Sequence, residues 1–207
     1  MDENEIDNAK DVKIILLGEN GVGKTSIINR YITNQFNPGV QNVTLGSNYF
    51  TKEIKNIKNN SVNYRLKIWD TNGQEKFHSV TSLYIQGSNI ILLVYSLDSK
   101  ESFENLDFWY NTIKSSLDGK NYIFAIIANK SDLKDNVAVS DEEGKKYAIE
   151  KKAIFRKISA KEDGNGIDKL FDDLIDELRK TNFEVNSSIV LTRAHFKKKK
   201  KHEKKTC

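Results

Sequence analysis

Between residues 12 and 180 the chain alternates two hydrophobic patterns. "VKIILLG" (12–18), "NIILLVY" (89–95) and "YIFAIIA" (122–128) are continuous apolar runs of strand length, as expected for strands covered on both faces. Other segments are read as helices: "KTSIINRYI" (24–32) and residues 99–117, whose apolar positions recur at helical spacing, and residues 140–151. A last helix follows, on which Ile167, Leu170, Phe171, Leu174, Ile175 and Leu178 fall along one stripe. Ser140 followed by Glu143 has the form of a capping box opening the 140–151 helix. "YFTKEIKNI" and "VNYRLKIWD" flank the polar "KNNS" and predict an antiparallel hairpin, and a further strand is expected over 153–159. Strands alternating with helices predict an α/β domain, a mostly parallel sheet with helices on both faces. In such sheets ligands sit in the loops beyond the carboxyl ends of the strands.

Composition changes this picture mainly at the ends. The 207 residues carry a formal charge of +4, but Arg193–Cys207 alone holds eight Lys/Arg against one Glu, leaving 25 basic and 28 acidic residues before it. A mildly acidic body with a strongly basic tail points to a partner specific to the tail. Cys207, the single cysteine, excludes an intrachain disulfide, and zinc-type spacing is absent. "MDENEIDNAKD" is acidic and polar, unlike a signal or transit peptide, and the apolar runs are too short to span a bilayer. A cytosolic protein is expected. Nucleic-acid binding is not, because the body offers no basic face and no aromatic stacking platform.

Candidate chemistry lies in four loops. "GENGVGKT" (18–25) matches G-x-x-x-x-G-K-[ST] between a strand and a helix. There, backbone N–H groups of Asn20, Gly21, Val22, Gly23 and Ser26 can cradle phosphate, Lys24 can reach the terminal phosphates and the Thr25 hydroxyl can bind Mg²⁺. This loop alone leaves kinase, ATPase and GTPase open. "WDTNGQE" (69–75) adds Asp70 for the Mg²⁺ shell, Gly73 for close backbone approach to a γ-phosphate, and Gln74 to orient an attacking water. "NKSD" (129–132) adds a carboxylate, Asp132, able to accept the paired N–H donors that guanine has and adenine lacks. "SAK" (159–161) ends the next strand.

These loops, in this order and spacing, resemble those of a Ras-superfamily small GTPase over residues 11–180, and "RLKIWDTNGQEKF" with "FENLDFWYNTIK" is most similar to the Rab branch. The resemblance implies the P-loop GTPase fold, six strands with one antiparallel, and a slow GTP hydrolase acting as a membrane-associated switch in vesicle traffic. It implies that Thr44 touches Mg²⁺ and the γ-phosphate, and that Phe36, Asn129, Lys130, Asp132, Ser159, Ala160 and Lys161 surround guanine. Tyr49, Trp69 and Tyr84 fall where Rab proteins carry an effector-binding aromatic trio. The implied partners are an exchange factor, an activating protein that supplies an arginine, escort or dissociation-inhibitor proteins, and effectors, with the GTPase itself a monomer. Residues 1–10 then form an acidic extension, and 181–207 a linker and polybasic tail.

The chain departs from the family pattern at several points. Asn72 replaces the usual alanine directly before Gly73, where it either slows hydrolysis or biases the second switch, or is a tolerated surface change. Asn20 stands where many Rab proteins have serine, the first switch is about one residue longer than usual between Phe36 and Thr44, and "YIQG" (84–87) replaces "YYRG". An alternative is therefore a guanine-nucleotide-binding scaffold with slow or no hydrolysis. An ATP-using kinase or transport ATPase is disfavoured by Asp132 and by the lack of a lid-like insertion. In the tail, the resemblance implies a geranylgeranyl group on Cys207, which lies outside a C-a-a-X context. One lipid alone binds weakly. The seven lysines between 197 and 205 are expected to supply the second signal on an anionic membrane, each worth about 1 kcal/mol.

Overall fold

The computed structural model describes residues 9–36, 48–54, 63–71 and 78–181. Among the described residues six strands form one sheet: β1 (Lys10–Leu17), β2 (Asn48–Ile54), β3 (Tyr64–Asp70), β4 (Ile90–Ser96), β5 (Ile123–Asn129) and β6 (Ile154–Lys157). Their order is β2-β3-β1-β4-β5-β6. Only the β2–β3 pair is antiparallel, with Tyr49 opposite Trp69; the other four pairings are parallel. The expected hairpin, and the fold class, are therefore present.

Side-chain alternation explains why the strands read as unbroken apolar runs. Val12, Ile14 and Leu16 of β1 face a core shared with α1 (Lys24–Thr33) and α6 (Gly164–Lys180). Ile15 and Leu17 face the opposite core, shared with α2 (His78–Ile85), α4 (Leu106–Ser116) and α5 (Asp141–Glu150). β4 and β5 divide in the same way, so both faces exclude water and neither position of the two-residue period can be polar. Tyr31 of α1 stacks on Phe171 of α6 with ring centroids 3.7 Å apart, which joins the two helices of the first core.

Two elements differ from the sequence reading. The single helix expected over 99–117 is two, α3 (Lys100–Glu104) and α4, separated at Asn105. α3 opens on the Ser99 side chain, which accepts from the Ser102 N–H. α2 was not foreseen: it is eight residues long, with no cap pattern to announce it. Among the described residues no helix is long and apolar enough to cross a membrane.

Because β1, β3, β4, β5 and β6 run the same way, the segments after Leu17, Asp70, Ser96, Asn129 and Lys157 emerge along one edge of the sheet. β1 lies between β3 and β4, where the strand order reverses. The loop after β1 therefore occupies the crevice that open α/β sheets use for ligands.

Candidate functional site

The loop from Gly18 to Gly23 turns directly from β1 into α1, and glycine is required at both ends. Gly18 has φ +135°, and a Cβ there would lie 2.1 Å from Val94 O. Gly23, at the N-cap of α1, has φ +96°, and a Cβ would lie 2.3 Å from Asn129 Nδ2. Asn20 and Gly21 are exposed, whereas Val22 is buried. Lys24 is only 4% exposed. Its ammonium folds back over the loop and donates to Gly18 O and Glu19 O, both at 2.8 Å. The loop leads into the first turn of α1, Lys24 to Ser26, and a helix start presents backbone N–H groups and the positive end of the dipole, both suited to an anion. Trp109 of α4 steadies the loop from its far side, donating through Nε1 to Glu19 Oε1 at 3.0 Å.

Thr25 and Asp70 meet at the next position along the edge. The Thr25 hydroxyl donates to Asp70 Oδ2 at 2.7 Å, and Asp70 is fully buried at the end of β3. A hydroxyl and a carboxylate are hard oxygen donors. Mg²⁺ takes only one or two protein ligands of this kind and completes its shell with water and phosphate, so this donor pair fits it.

The second half of the site is built around Asn129. Its Nδ2 donates to Val22 O at 2.8 Å, and its Oδ1 accepts from the Ala160 N–H at 3.1 Å. One side chain thus ties the loop after β1 to the loop after β6. Lys130 follows with φ +64°, and its ammonium lies 3.4 Å from the Asp98 carboxylate. Burial alone would raise the Asp98 carboxyl; the Ser96 hydroxyl and the Lys130 ammonium outweigh it and hold the group below the usual carboxylate range. Asp132 has a 7% exposed side chain. It accepts from Ser159 Oγ at 2.6 Å and lies 3.9 Å from Lys161 Nζ. Phe36 is half-buried after the end of α1.

The structure therefore gathers Asn20 to Ser26, Asp70, Asn129, Lys130, Asp132, Ser159, Ala160 and Lys161 onto one edge. Tyr49, Trp69 and Tyr84 form a chain of ring contacts, 5.3 Å and 5.6 Å between centroids. Behind it Lys13 donates to Gln86 O at 2.6 Å and sits 5.3 Å over the Trp69 ring. Burial lowers its ammonium to about 8. Thr44, Asn72, Gly73, Gln74, Cys207 and the lysine run lie outside the described residues. Three site neighbours escaped the sequence reading: Trp109, Asp98 and Arg30. Arg30 donates to Ala160 O at 3.0 Å and also to Lys161 O. Arg65 of β3 is half-buried between Asp11 at 3.3 Å and Glu53 at 3.6 Å.

The fold and this arrangement define the class: an α/β protein with a glycine-bounded loop leading into a helix start, an oxygen donor pair beside it, and a buried carboxylate behind a second loop. Comparison with known proteins narrows it. The model of the Ras family matches residues 13–180. Ras-related protein RabC of Dictyostelium discoideum is 38% identical over 170 residues, 82% of this chain and 84% of the relative. Ras-related protein Rab-18 of Lymnaea stagnalis is 34% identical over 181 residues, 87% of this chain and 86% of the relative. Ras-related protein SEC4 of Candida albicans is 32% identical over 175 residues, 84% and 80%. The chain belongs to the Ras family of small GTPases and is similar to its Rab members.

Proposed function

We propose that the chain is a Rab-type switch that binds GTP and GDP with Mg²⁺, hydrolyses GTP slowly, and works on the cytosolic face of a membrane in vesicle traffic. The observation that supports this best is the pair of hydrogen bonds made by Asn129, to Val22 O at 2.8 Å and from Ala160 N at 3.1 Å. It holds an anion loop and a base-reading loop at a fixed separation, as one nucleotide requires. Backbone N–H groups of residues 20–26 and the Lys24 ammonium would hold the phosphates, with Gly73 approaching the γ-phosphate. Thr25, Asp70 and Thr44 would hold Mg²⁺, which when bound neutralises charge on the phosphates. Asp132 would accept from guanine N1–H and the 2-amino group, with Phe36, Lys130 and Ser159 to Lys161 enclosing the base.

Gln74 would orient the attacking water. Phosphoryl transfer of this kind depends on positioning and charge, and an arginine supplied by a partner accelerates it by roughly 10³ to 10⁵. Every arginine among the described residues is committed elsewhere: Arg30 to the 159–161 loop, Arg65 to Asp11 and Glu53, Arg156 to Asp173, and Arg179 to Asp176. That supports an activating protein in trans. Exchange and escort proteins complete the cycle, and effectors read the Tyr49–Trp69–Tyr84 trio. The lysines between 197 and 205, with a lipid on Cys207, provide the membrane contact. A second reading, a guanine-nucleotide scaffold that does not cycle, is favoured only by Asn72 beside Gly73.

Base selectivity tests the proposal. Calorimetric titration of nucleotide-free protein should show GDP bound far more tightly than ADP. Asp132→Asn should lower GDP affinity by on the order of 10⁴, because the amide cannot accept both donors. Equal affinity for the two bases would refute guanine recognition.

A further inference from the structure

Arg30 is the last basic residue of α1, and a guanidinium near a helix C-terminus ordinarily faces the carbonyls of its own helix. This one also reaches across to a second loop. Nε donates to Ala160 O at 3.0 Å and Nη2 to Lys161 O, about 130 residues along the chain, while Nη1 donates to Asn34 O at 3.2 Å. Asn34 supports the arrangement: it sits at φ +55° and returns its N–H to Arg30 O at 2.9 Å. Gly164, opening α6, lets that helix approach, since a Cβ there would lie 3.1 Å from Asn34 Oδ1 and 3.5 Å from Arg30 Cδ. Arginine is suited to such a grip, being always charged and offering several donors in a rigid plane.

These contacts close a ring. Val22 of the anion loop accepts from Asn129, Asn129 accepts from the Ala160 N–H, Ala160 accepts through its carbonyl from Arg30, and α1 runs from Arg30 back to Lys24 beside Val22. The Asn129 side of the ring touches the interior of the site. Arg30 is half-buried and its hydrogen bonds all go to backbone carbonyls. A loop held from one side can still rotate about that side; held from both, it cannot. The position of this loop also sets Asp132, because Ser159 Oγ donates to its carboxylate at 2.6 Å while accepting the Glu162 N–H at 3.0 Å.

Resting on the reading that this chain binds guanine nucleotide, we infer that Arg30 is a positioning residue for the base. By pinning the carbonyls of Ala160 and Lys161 it sets the residence time of the nucleotide and the selectivity for guanine. It also couples the segment leaving α1 at Asn34, which leads towards Thr44, to the loop that encloses the base.

The test uses the full chain loaded with a fluorescent GDP analogue and chased with excess GDP in Mg²⁺. Arg30→Met removes both hydrogen bonds to the loop and should release nucleotide at least about tenfold faster, the loss of even one charge-assisted bond corresponding to about that factor. Arg30→Lys, which keeps the charge and the aliphatic stem but one point of contact, should fall between. The second readout is the ratio of GDP to inosine diphosphate affinity. Inosine lacks the 2-amino group that Asp132 would accept, so a loosened Ser159 to Lys161 loop should lower this ratio. A purely structural role would weaken both nucleotides alike, and an unchanged ratio would overturn the inference. An unchanged release rate in Arg30→Met, with wild-type protein still holding GDP, would overturn it alone. Wild-type protein that binds no GDP would overturn the guanine reading and this inference with it. If Arg30→Met does not fold, Arg30→Lys decides by the same two readouts.

Discussion

Gly23 and Gly21 stand two residues apart in the same loop, both with positive φ, +96° and +78°, yet their surroundings differ. A Cβ at Gly21 meets nothing within 4 Å, whereas one at Gly23 would sit 2.3 Å from the Asn129 amide. Alanine at position 21 therefore meets only the left-handed backbone cost, about 1–2 kcal/mol. Alanine at position 23 must also push Asn129 off Val22 O, separating the two loops. Gly23→Ala should abolish measurable GDP binding while Gly21→Ala weakens it modestly, as calorimetric titration of each variant would show; equal losses would mean that the Asn129 bridge is not what the glycine protects. The motif around these residues was legible because local backbone geometry dictates glycine. Arg30 and Trp109 were not, because their partners lie about 130 and 90 residues away. Arg30 moreover contacts backbone carbonyls, which leave no trace in residue identity.

Elements were legible to the extent that one hydrophobic period governed them. β1, β4 and β5 are buried on both faces and showed as continuous apolar runs, and α6 as a clean stripe. α2 was missed because a short helix without a cap leaves too few periods to count. The division at Asn105 was hidden because the helical spacing continues across it. The start of α5 shows the opposite case. Ser140 accepts the Glu143 N–H at 3.2 Å, and Glu143 accepts the Ser140 N–H at 2.9 Å, the capping box expected from the residue pair. Lys100 also reaches Glu143, at 2.6 Å. Hydrogen bonds first from Lys100 and then from Ser140 lower the Glu143 carboxyl from 4.5 to about 2. A carboxyl lowered on folding stabilises the protein above its unfolded value and loses that contribution as pH falls towards the folded one. Glu143→Gln should therefore flatten the loss of stability between pH 4.5 and 2, measured as denaturation midpoints across that range. An unchanged slope would mean the carboxyl is not held. Ser140→Ala, by removing the cap, should cost about 1 kcal/mol.

Across the whole molecule, one topological fact positions the chemistry. Five parallel-running strands end on the same edge, and the strand order reverses beside β1. The loop after β1, the Thr25–Asp70 pair and the loops after β5 and β6 are therefore neighbours although residues 18 and 161 are distant in sequence. The two cores hold that edge rigid from opposite faces, α1 and α6 on one side and α2, α4 and α5 on the other. The central claim is that this edge holds a guanine nucleotide and turns GTP over. The most direct measurement is to purify the native protein, denature it, and identify the released nucleotide by chromatography. The account predicts GDP in near-stoichiometric amount. An adenine nucleotide, or none, would contradict guanine recognition; GTP alone would contradict turnover and favour the non-cycling scaffold.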